Sequence, residues 1–170
     1  MSAKVPKKSP AIKGLLWHRD QYYSFFIPNN WYKLSWSDDR QGVIYAPDAS
    51  DPLTVFAVSL TDLGTPVTED DLDALAEGFF ETIEQLPESH IELREQKVAG
   101  KMLELQAKYT SQENGETLKR WVRVFYHEKR QIAMTAQGVP EKYDYWLPWF
   151  FEAMMTANVH RNKPQISFFD

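Results

Sequence analysis

The chain has 170 residues, enough for one domain, and 43% of them are hydrophobic, so disorder does not describe the chain as a whole. It contains no cysteine, which excludes disulfide frameworks, thiolate nucleophiles and cysteine-ligated metal centres. The net charge is −5, and residues 21–100 hold 15 acidic but 4 basic side chains. The chain therefore lacks the overall basic character that nucleic-acid binding requires.

The basic start of the chain, residues 1–12, is predicted to be disordered. It is interrupted by proline, and no apolar run of about 7–15 residues follows it, as a secretory signal would need. The longest apolar runs, such as residues 55–58, are far shorter than the roughly 18 residues that span a membrane. We therefore expect a cytoplasmic protein without a membrane span.

Five short segments with alternating polar and apolar side chains predict strands in the first third of the chain. Turn residues such as Pro28-Asn29-Asn30 separate them. The last of the five is nearly all apolar, and we expect it to be central in a sheet. The predicted strands are 15–20, 22–27, 31–36, 43–45 and 54–60.

Residues 68–86 are predicted to form a helix. Thr68 and Asp71 have the spacing of a capping box, with Asp in place of the usual Glu or Gln. The opposite face is acidic, and the first turn carries three acids that the helix dipole favours. Apolar residues recur at helical spacing at Leu72, Leu75, Ala76, Phe79, Phe80, Ile83 and Leu86.

The second half of the chain predicts a four-stranded meander followed by a helix. The strands are 91–98, 102–109, 117–126 and 131–136, and Asn114-Gly115 is typical of a type I′ turn. The helix begins near Pro140 and extends to about Asn158, and Pro148 predicts a kink or a new helix start. Residues 13–158 are thus expected to form a single domain, followed by a tail, 159–170, that docks through apolar side chains near its end.

Motifs for catalysis, cofactors or metals are not found in the sequence. The four histidines are scattered without metal-ligand spacing, and the seven glycines are isolated, unlike a phosphate-binding loop. No G-x-S-x-G motif is present. Acidic pairs such as Asp38-Asp39 are interpreted as turn and capping residues. We expect no catalytic, cofactor-binding or metal-binding residue.

One group of aromatic and basic residues is the candidate surface for a partner or ligand. The last helix has more aromatic side chains than one buried stripe requires, although deep packing on the sheet explains most of them. A strand before it combines basic and aromatic residues, with Arg120 and Arg123 on opposite faces. The candidate residues are Arg120, Trp121, Arg123, Tyr126, His127, Tyr145, Trp146 and Trp149.

The segment Phe25-Phe26-Ile27-Pro28-Asn29-Asn30-Trp31 resembles the aromatic-apolar-Pro-x-x-Trp signature of the PsbP fold, and the order of elements over Tyr22 to Asn158 is similar to PsbP and to the Mog-type proteins that bind the Ran GTPase. The resemblance implies an α+β fold, an α/β/α sandwich around a mainly antiparallel sheet of about seven to nine strands. One helix would follow about the fifth strand and another would lie at the C-terminus. It also implies a bacterial single-domain member that binds or scaffolds without catalysis.

Three functions follow as hypotheses. The leading one is a non-enzymatic domain that binds another protein. The first alternative is a small-ligand-binding or enzymatic domain with a pocket between the sheet and the C-terminal helix, lined by Arg120, Arg123, Tyr126 and His127. The second alternative is a self-assembling domain, a homodimer through the C-terminal tail.

Overall fold

The structure, a computed structural model, describes residues 10–160. Predictions about residues 1–9 and about the apolar end of the tail lie outside the described residues. Residue Pro10 is buried, and its carbonyl oxygen accepts a hydrogen bond from Trp149 Nε1 at 2.9 Å. The elements are β1 Leu15–Arg19, β2 Tyr23–Pro28, β3 Tyr32–Leu34, β4 Gln41–Ala46, β5 Val55–Asp62, α1 Leu72–Glu84, β6 His90–Ala99, β7 Met102–Glu113, β8 Glu116–His127, β9 Arg130–Gly138, α2 Pro140–Thr156 and β10 Asn158–Val159.

The strands form two antiparallel sheets. The large sheet has seven strands in the order β3-β4-β5-β9-β8-β7-β6, and the small sheet has three in the order β1-β2-β10. All pairings are antiparallel within the described residues. The expected α+β fold is confirmed, with five strands before α1 and four between the helices. The strand β10 is an addition, too short for its sequence to predict.

Local sequence signals explain the turns and helix starts. Asn114 and Gly115 have φ values of 52° and 80°, as a type I′ turn requires, and they join the two longest strands. A one-turn 3₁₀ helix, Glu69–Asp71, precedes α1, and the Asp71 carboxylate accepts a hydrogen bond from the backbone N–H of Thr68 at 2.8 Å. The predicted capping box is therefore present.

The two faces of the large sheet are covered differently. On one face, which we call the α1 face, apolar side chains of α1 pack on β7 and β8 near one edge of the sheet. On the opposite face, which we call the α2 face, α2 and the small sheet together cover the large sheet. The side chains of α2 buried there are Tyr143, Phe150, Ala153 and Met154.

Helix α2 runs without a break from Pro140 to Thr156, so of the two outcomes expected at Pro148, a kink or a new helix start, the new start does not occur. Pro148 is exposed, whereas Tyr143 before it and Phe150 after it are buried against the sheet. Burial on both sides of the proline keeps the two halves in one helix, at the cost of one missing backbone hydrogen bond.

Candidate functional site

A groove with a volume of about 1120 Å³ crosses the α1 face. Helix α1 lies over β6, β7 and part of β8, and so it leaves the other half of this face uncovered. Strands β4, β5, β9 and β8 form the floor of the groove, and α1 forms one wall. The opposite wall is the connection between β3 and β4.

Small side chains make the floor concave. The small residues that line the groove are Ala57 and Ser59 on β5 and Ala133 and Thr135 on β9. Because side chains alternate across a strand, their neighbours in sequence point to the α2 face. Those neighbours are large and buried, and they include Phe56, Val58, Ile132 and Met134.

Trp36 forms part of the wall opposite α1 and is held by two contacts. Its Nε1 donates a hydrogen bond to the Val58 carbonyl oxygen at 2.9 Å. The guanidinium of Arg40 lies 4.2 Å from the centre of the Trp36 ring, and it is also paired with Asp38 at 3.1 Å. Gly42 has φ 134°, and a Cβ there would lie 1.9 Å from the same Val58 oxygen. The absence of a side chain at Gly42 therefore leaves that oxygen accessible.

The α1 wall is apolar along its length. It is lined by Phe79, Ile83 and Leu86. Thr82 adds a hydroxyl group, which donates a hydrogen bond to the Gly78 carbonyl oxygen at 2.7 Å. These side chains follow the helical spacing that the sequence predicted for one apolar face. That face is wider than the strip that α1 needs to pack on β7, so part of it borders the groove.

Arg120 marks a polar end of the groove. Its Nε donates to Gln137 Oε1 at 2.7 Å and its Nη2 to Glu113 Oε2 at 2.6 Å. Burial raises the pKa of the nearby Tyr109 hydroxyl, and the interaction with Arg120 opposes this shift. Gln137 Nε2 in turn donates to the Leu53 carbonyl oxygen at 3.0 Å. The cluster is therefore preorganised, and Glu113 neutralises its cation.

The lining of the groove is mostly apolar and has few ionisable side chains. In the described chain its lining contains one carboxylate, Glu113, and no histidine, lysine or cysteine. No group of three or more metal-ligating side chains occurs within residues 10–160. Apolar surface with a few fixed hydrogen-bonding groups orients and holds an occupant.

The candidate residues on β8 lie on both faces of the sheet. Of these, Arg120 lines the groove. Trp121 is buried under α2, where its Nε1 donates to Gln106 Oε1 at 2.6 Å. Arg123 is also on the α2 face, and Tyr126 is buried on the α1 face. His127 is buried at the end of the strand.

Arg123 forms a buried ion pair with Glu104. Its Nε and Nη2 donate to the two carboxylate oxygens of Glu104 at 2.9 and 3.0 Å. Its Nη1 donates to the Met154 carbonyl oxygen near the end of α2. The arginine thus fastens α2 to the sheet.

The candidate residues on α2 pack mainly against the rest of the chain. The rings of Trp146 and Trp31 contact each other edge to face with their centres 5.5 Å apart, and Trp149 Nε1 donates a hydrogen bond to the Pro10 carbonyl oxygen. Tyr145 is 46% exposed. The eight candidate residues therefore do not form one surface, and Arg120 alone among them borders the groove.

Sequence reasoning did not find the groove. The lining residues come from six strands and a helix, and most of them belong to types that are common in any core. One signal was present, since Ala57, Ser59, Ala133 and Thr135 alternate with large apolar residues on neighbouring strands. A sheet with large residues on one face and small ones on the other leaves room on the second face.

No helix among residues 10–160 is long and apolar enough to cross a membrane.

No family model matches the chain, and the search of curated proteins gave no significant match. Solved structures share its fold. CyanoP, the cyanobacterial PsbP of Synechocystis sp. PCC 6803, is 15% identical with a TM-score of 0.64, covering 92% of this chain and 100% of that one. LpqN, involved in cell envelope biogenesis of Mycobacterium tuberculosis, is 12% identical with a TM-score of 0.60, covering 86% and 89%.

A third similar structure is PA94 from Pseudomonas aeruginosa, described as a protein of unknown function and putative regulator. It is 17% identical with a TM-score of 0.54, covering 88% of this chain and 99% of that one. The PsbP-like fold expected from residues 25–31 is thereby supported. At these identities the likeness concerns the fold alone.

Proposed function

We propose that this protein is a non-catalytic binding domain whose groove receives an apolar segment of another protein. The observation that carries the proposal is the groove itself. Its volume is about 1120 Å³, and it crosses several strands of the sheet between α1 and the β3–β4 connection. Apolar walls, with the arginines of the lining paired to carboxylates of the same chain, suit a peptide segment with apolar side chains.

The charge around the groove indicates the character of the partner. The exposed side of α1 carries acidic residues, among them Asp73, Glu77 and Glu81. Such a surface attracts basic partners and repels acidic ones. We therefore propose that basic side chains flank the apolar segment of the partner.

The Mog-type resemblance fits this proposal in one respect. Those proteins bind a GTPase largely through an acidic surface, and α1 presents an acidic surface beside the groove. The assignment to the Mog type, to a bacterial single-domain protein and to the cytoplasm remains part of the proposal.

The test uses two synthetic peptides of twelve residues, one of Leu and Lys and one of Leu and Glu. We expect the Leu/Lys peptide to change the tryptophan fluorescence of the protein, to which Trp36 in the groove wall contributes, and to bind more tightly than the Leu/Glu peptide. Thr82→Trp, at an exposed position on the α1 wall, should narrow the groove and weaken binding at least tenfold. Equal binding of both peptides would contradict the proposed charge preference.

A matched control is available on the same face of the sheet. Thr61 is an exposed residue of β5 beyond the groove, and Thr61→Trp should leave peptide affinity unchanged. If Thr61→Trp and Thr82→Trp weaken binding equally, the peptide does not occupy the groove, and the proposal is wrong. Circular dichroism of both variants checks that they are folded.

A small ligand is the second candidate occupant, favoured by the cluster of Arg120, Gln137 and Tyr109 at one end of the groove. Such fixed donors orient a small polar group on an otherwise apolar molecule. A ligand present at 100 times its Kd should add about 2.7 kcal/mol of stability. A thermal-shift screen with the wild type and Thr82→Trp side by side detects it.

A further inference from the structure

Strand β1 is an edge of the small sheet. Within residues 10–160 it pairs with β2 on one side and with no strand on the other. Asn29 N donates to the Gly14 carbonyl at 2.8 Å, and Asp20 N donates to the Tyr23 carbonyl at 2.8 Å. In an antiparallel pair, every second residue forms backbone hydrogen bonds with the partner strand. In β1 the even-numbered residues therefore form the hydrogen bonds with β2. The N–H and C=O groups of Leu15, Trp17 and Arg19 point away from β2.

The edge is apolar on its surface. Leu15, Leu16 and Trp17 are 43%, 44% and 49% exposed, and Phe26 of the adjacent strand is 37% exposed. Trp17 and Phe26 stack with ring centres 6.4 Å apart. Natural edge strands are protected by proline, bulges or charges within the strand. Strand β1 has no proline and no bulge, and its one charged residue is Arg19 at its end.

The inner side of β1 is anchored, so its edge is held in an extended form. His18 Nδ1 lies 2.8 Å from the Tyr45 hydroxyl, and the His18 ring stacks on Phe25 with centres 4.9 Å apart. A strand that is already ordered loses little conformational entropy when it pairs with another.

We propose that β1 pairs antiparallel with β1 of a second copy of this chain, about a two-fold axis at Trp17. The backbone groups of residues 15, 17 and 19 that point away from β2 are symmetric about that axis. Trp17 would pair with Trp17 of the second copy, and Leu15 with Arg19 of the second copy, so both directions of hydrogen bonding are satisfied. The two small sheets would become one sheet of six strands.

Charge favours a second copy in this orientation. Lys13 and Asp20 lie at opposite ends of β1. Antiparallel pairing about Trp17 brings Lys13 of each copy near Asp20 of the other and keeps the two Arg19 side chains apart, whereas parallel pairing would place Arg19 beside Arg19. Like charges directly opposite each other destabilise a pair of strands. A five-residue strand buries less than about 1,200 Å² in all, so we expect a weak dimer that dissociates in the micromolar range.

Sedimentation of the full chain over a range of micromolar concentrations tests the proposal. We expect the mass to rise from one copy to two, and Trp17→Lys to abolish the rise by placing two lysines opposite each other. Tyr32→Lys is the control, because Tyr32 is 54% exposed on β3, the edge strand of the large sheet. A single-copy mass at all concentrations would overturn the proposal, as would equal effects of the two variants.

Cross-linking locates the axis, since the chain contains no cysteine of its own. The variant Trp17→Cys should form a disulfide-linked dimer under mild oxidation, because residues in a hydrogen-bonded pair lie about 5.5 Å apart between Cα atoms. The variant Tyr32→Cys should remain a monomer. Absence of a cross-link in Trp17→Cys would rule out the axis at Trp17.

Hydrogen exchange distinguishes two ways of protecting the edge of β1: pairing with a second copy, or coverage by the ends of the same chain. The amides of residues 15, 17 and 19 should become protected as protein concentration rises. Protection that does not depend on concentration would overturn the proposal, as would a dimer that is lost when residues 164–170 are deleted. Binding of the Leu/Lys peptide in the groove is a separate measurement, so either proposal can fail without the other.

Discussion

The two faces of the large sheet use the same strands for different purposes. On the α2 face, β5 and β9 present Phe56, Val58 and Met134, which are fully buried under α2 and the small sheet. On the α1 face, the residues between them, such as Ser59 and Thr135, are small and partly exposed in the groove. One face therefore supplies packing energy, and the other supplies space.

Polar groups follow the same division. The ion pair of Arg123 and Glu104 on the α2 face is almost fully buried, with side chains 12% and 4% exposed. The pair of Arg120 and Glu113 on the α1 face opens to solvent on the Glu113 side, which is 49% exposed. Substitutions on the buried α2 face should therefore lower the free energy of unfolding, whereas substitutions on the open α1 face should mainly change the affinity for a partner.

The largest effect is expected from Phe56→Ala. Phe56 is 0% exposed, and removal of a buried phenyl ring leaves a cavity that costs about 3–5 kcal/mol of unfolding free energy. Ser59→Ala, three residues away on the groove face, should cost less than about 0.5 kcal/mol. Urea denaturation measures both. Equal losses would mean that the two faces contribute alike to stability.

Glu104→Leu is expected to cost about 3 kcal/mol, because it leaves the guanidinium of Arg123 buried without its carboxylate. The double variant Glu104→Leu with Arg123→Met should recover most of this loss, since neither charge is then buried alone. On the open face, Glu113→Gln should cost less than about 1 kcal/mol because that pair is partly solvated. The comparison fails if Glu113→Gln is as damaging as Glu104→Leu.

Trp36→Ala should separate binding from stability. It removes the hydrogen bond to the Val58 carbonyl and the stacking of Arg40, which together fix one wall of the groove. We expect a loss of about 1–2 kcal/mol of unfolding free energy and at least a tenfold loss of affinity for the Leu/Lys peptide. Unfolding curves measure the first. Calorimetric titration measures the second, because the variant lacks the fluorescence of Trp36. Tyr32→Ala is the control, and it should change neither quantity appreciably.

The fold was predictable from the sequence because its signals are local. Alternation along the strands, the Asn114-Gly115 turn and the capping box at Thr68 each depend on a few neighbouring residues, and each was confirmed. The groove was not predictable in the same way. Its walls at Trp36 and Phe79 are distant in sequence and lie at one site because of where α1 packs on the sheet.

The candidate surface shows the same limit. Arg120 and Arg123 were expected on opposite faces, and the structure agrees. The contacts of the β8 side chains depend on the neighbouring strands and on α2. Arg123, for example, forms an ion pair with Glu104 of β7. Periodicity assigns a side chain to a face but does not identify its partner.

The smallest effect concerns pH and the anchoring of β1 on the α2 side of the molecule. Burial lowers the pKa of His18, and the charge of Lys33 lowers it further, against a smaller opposing effect of Asp20. The folded state therefore keeps His18 neutral, while the unfolded chain takes up a proton near the ordinary pKa of about 6.5. Its contribution to stability is present above that pH and is lost as pH falls toward the folded pKa.

His18→Phe should therefore reduce the fall in urea midpoint between pH 7.5 and pH 5.5. Part of the fall should remain, because burial also lowers the pKa of His160. Tyr45→Phe removes the hydrogen bond to His18 but leaves its ring packed on Phe25, so the fall should be nearly that of the wild type. If Tyr45→Phe reduces the fall as much as His18→Phe does, then the hydrogen bond, and not burial, keeps His18 neutral, and the edge strand is anchored by polar contact rather than by packing.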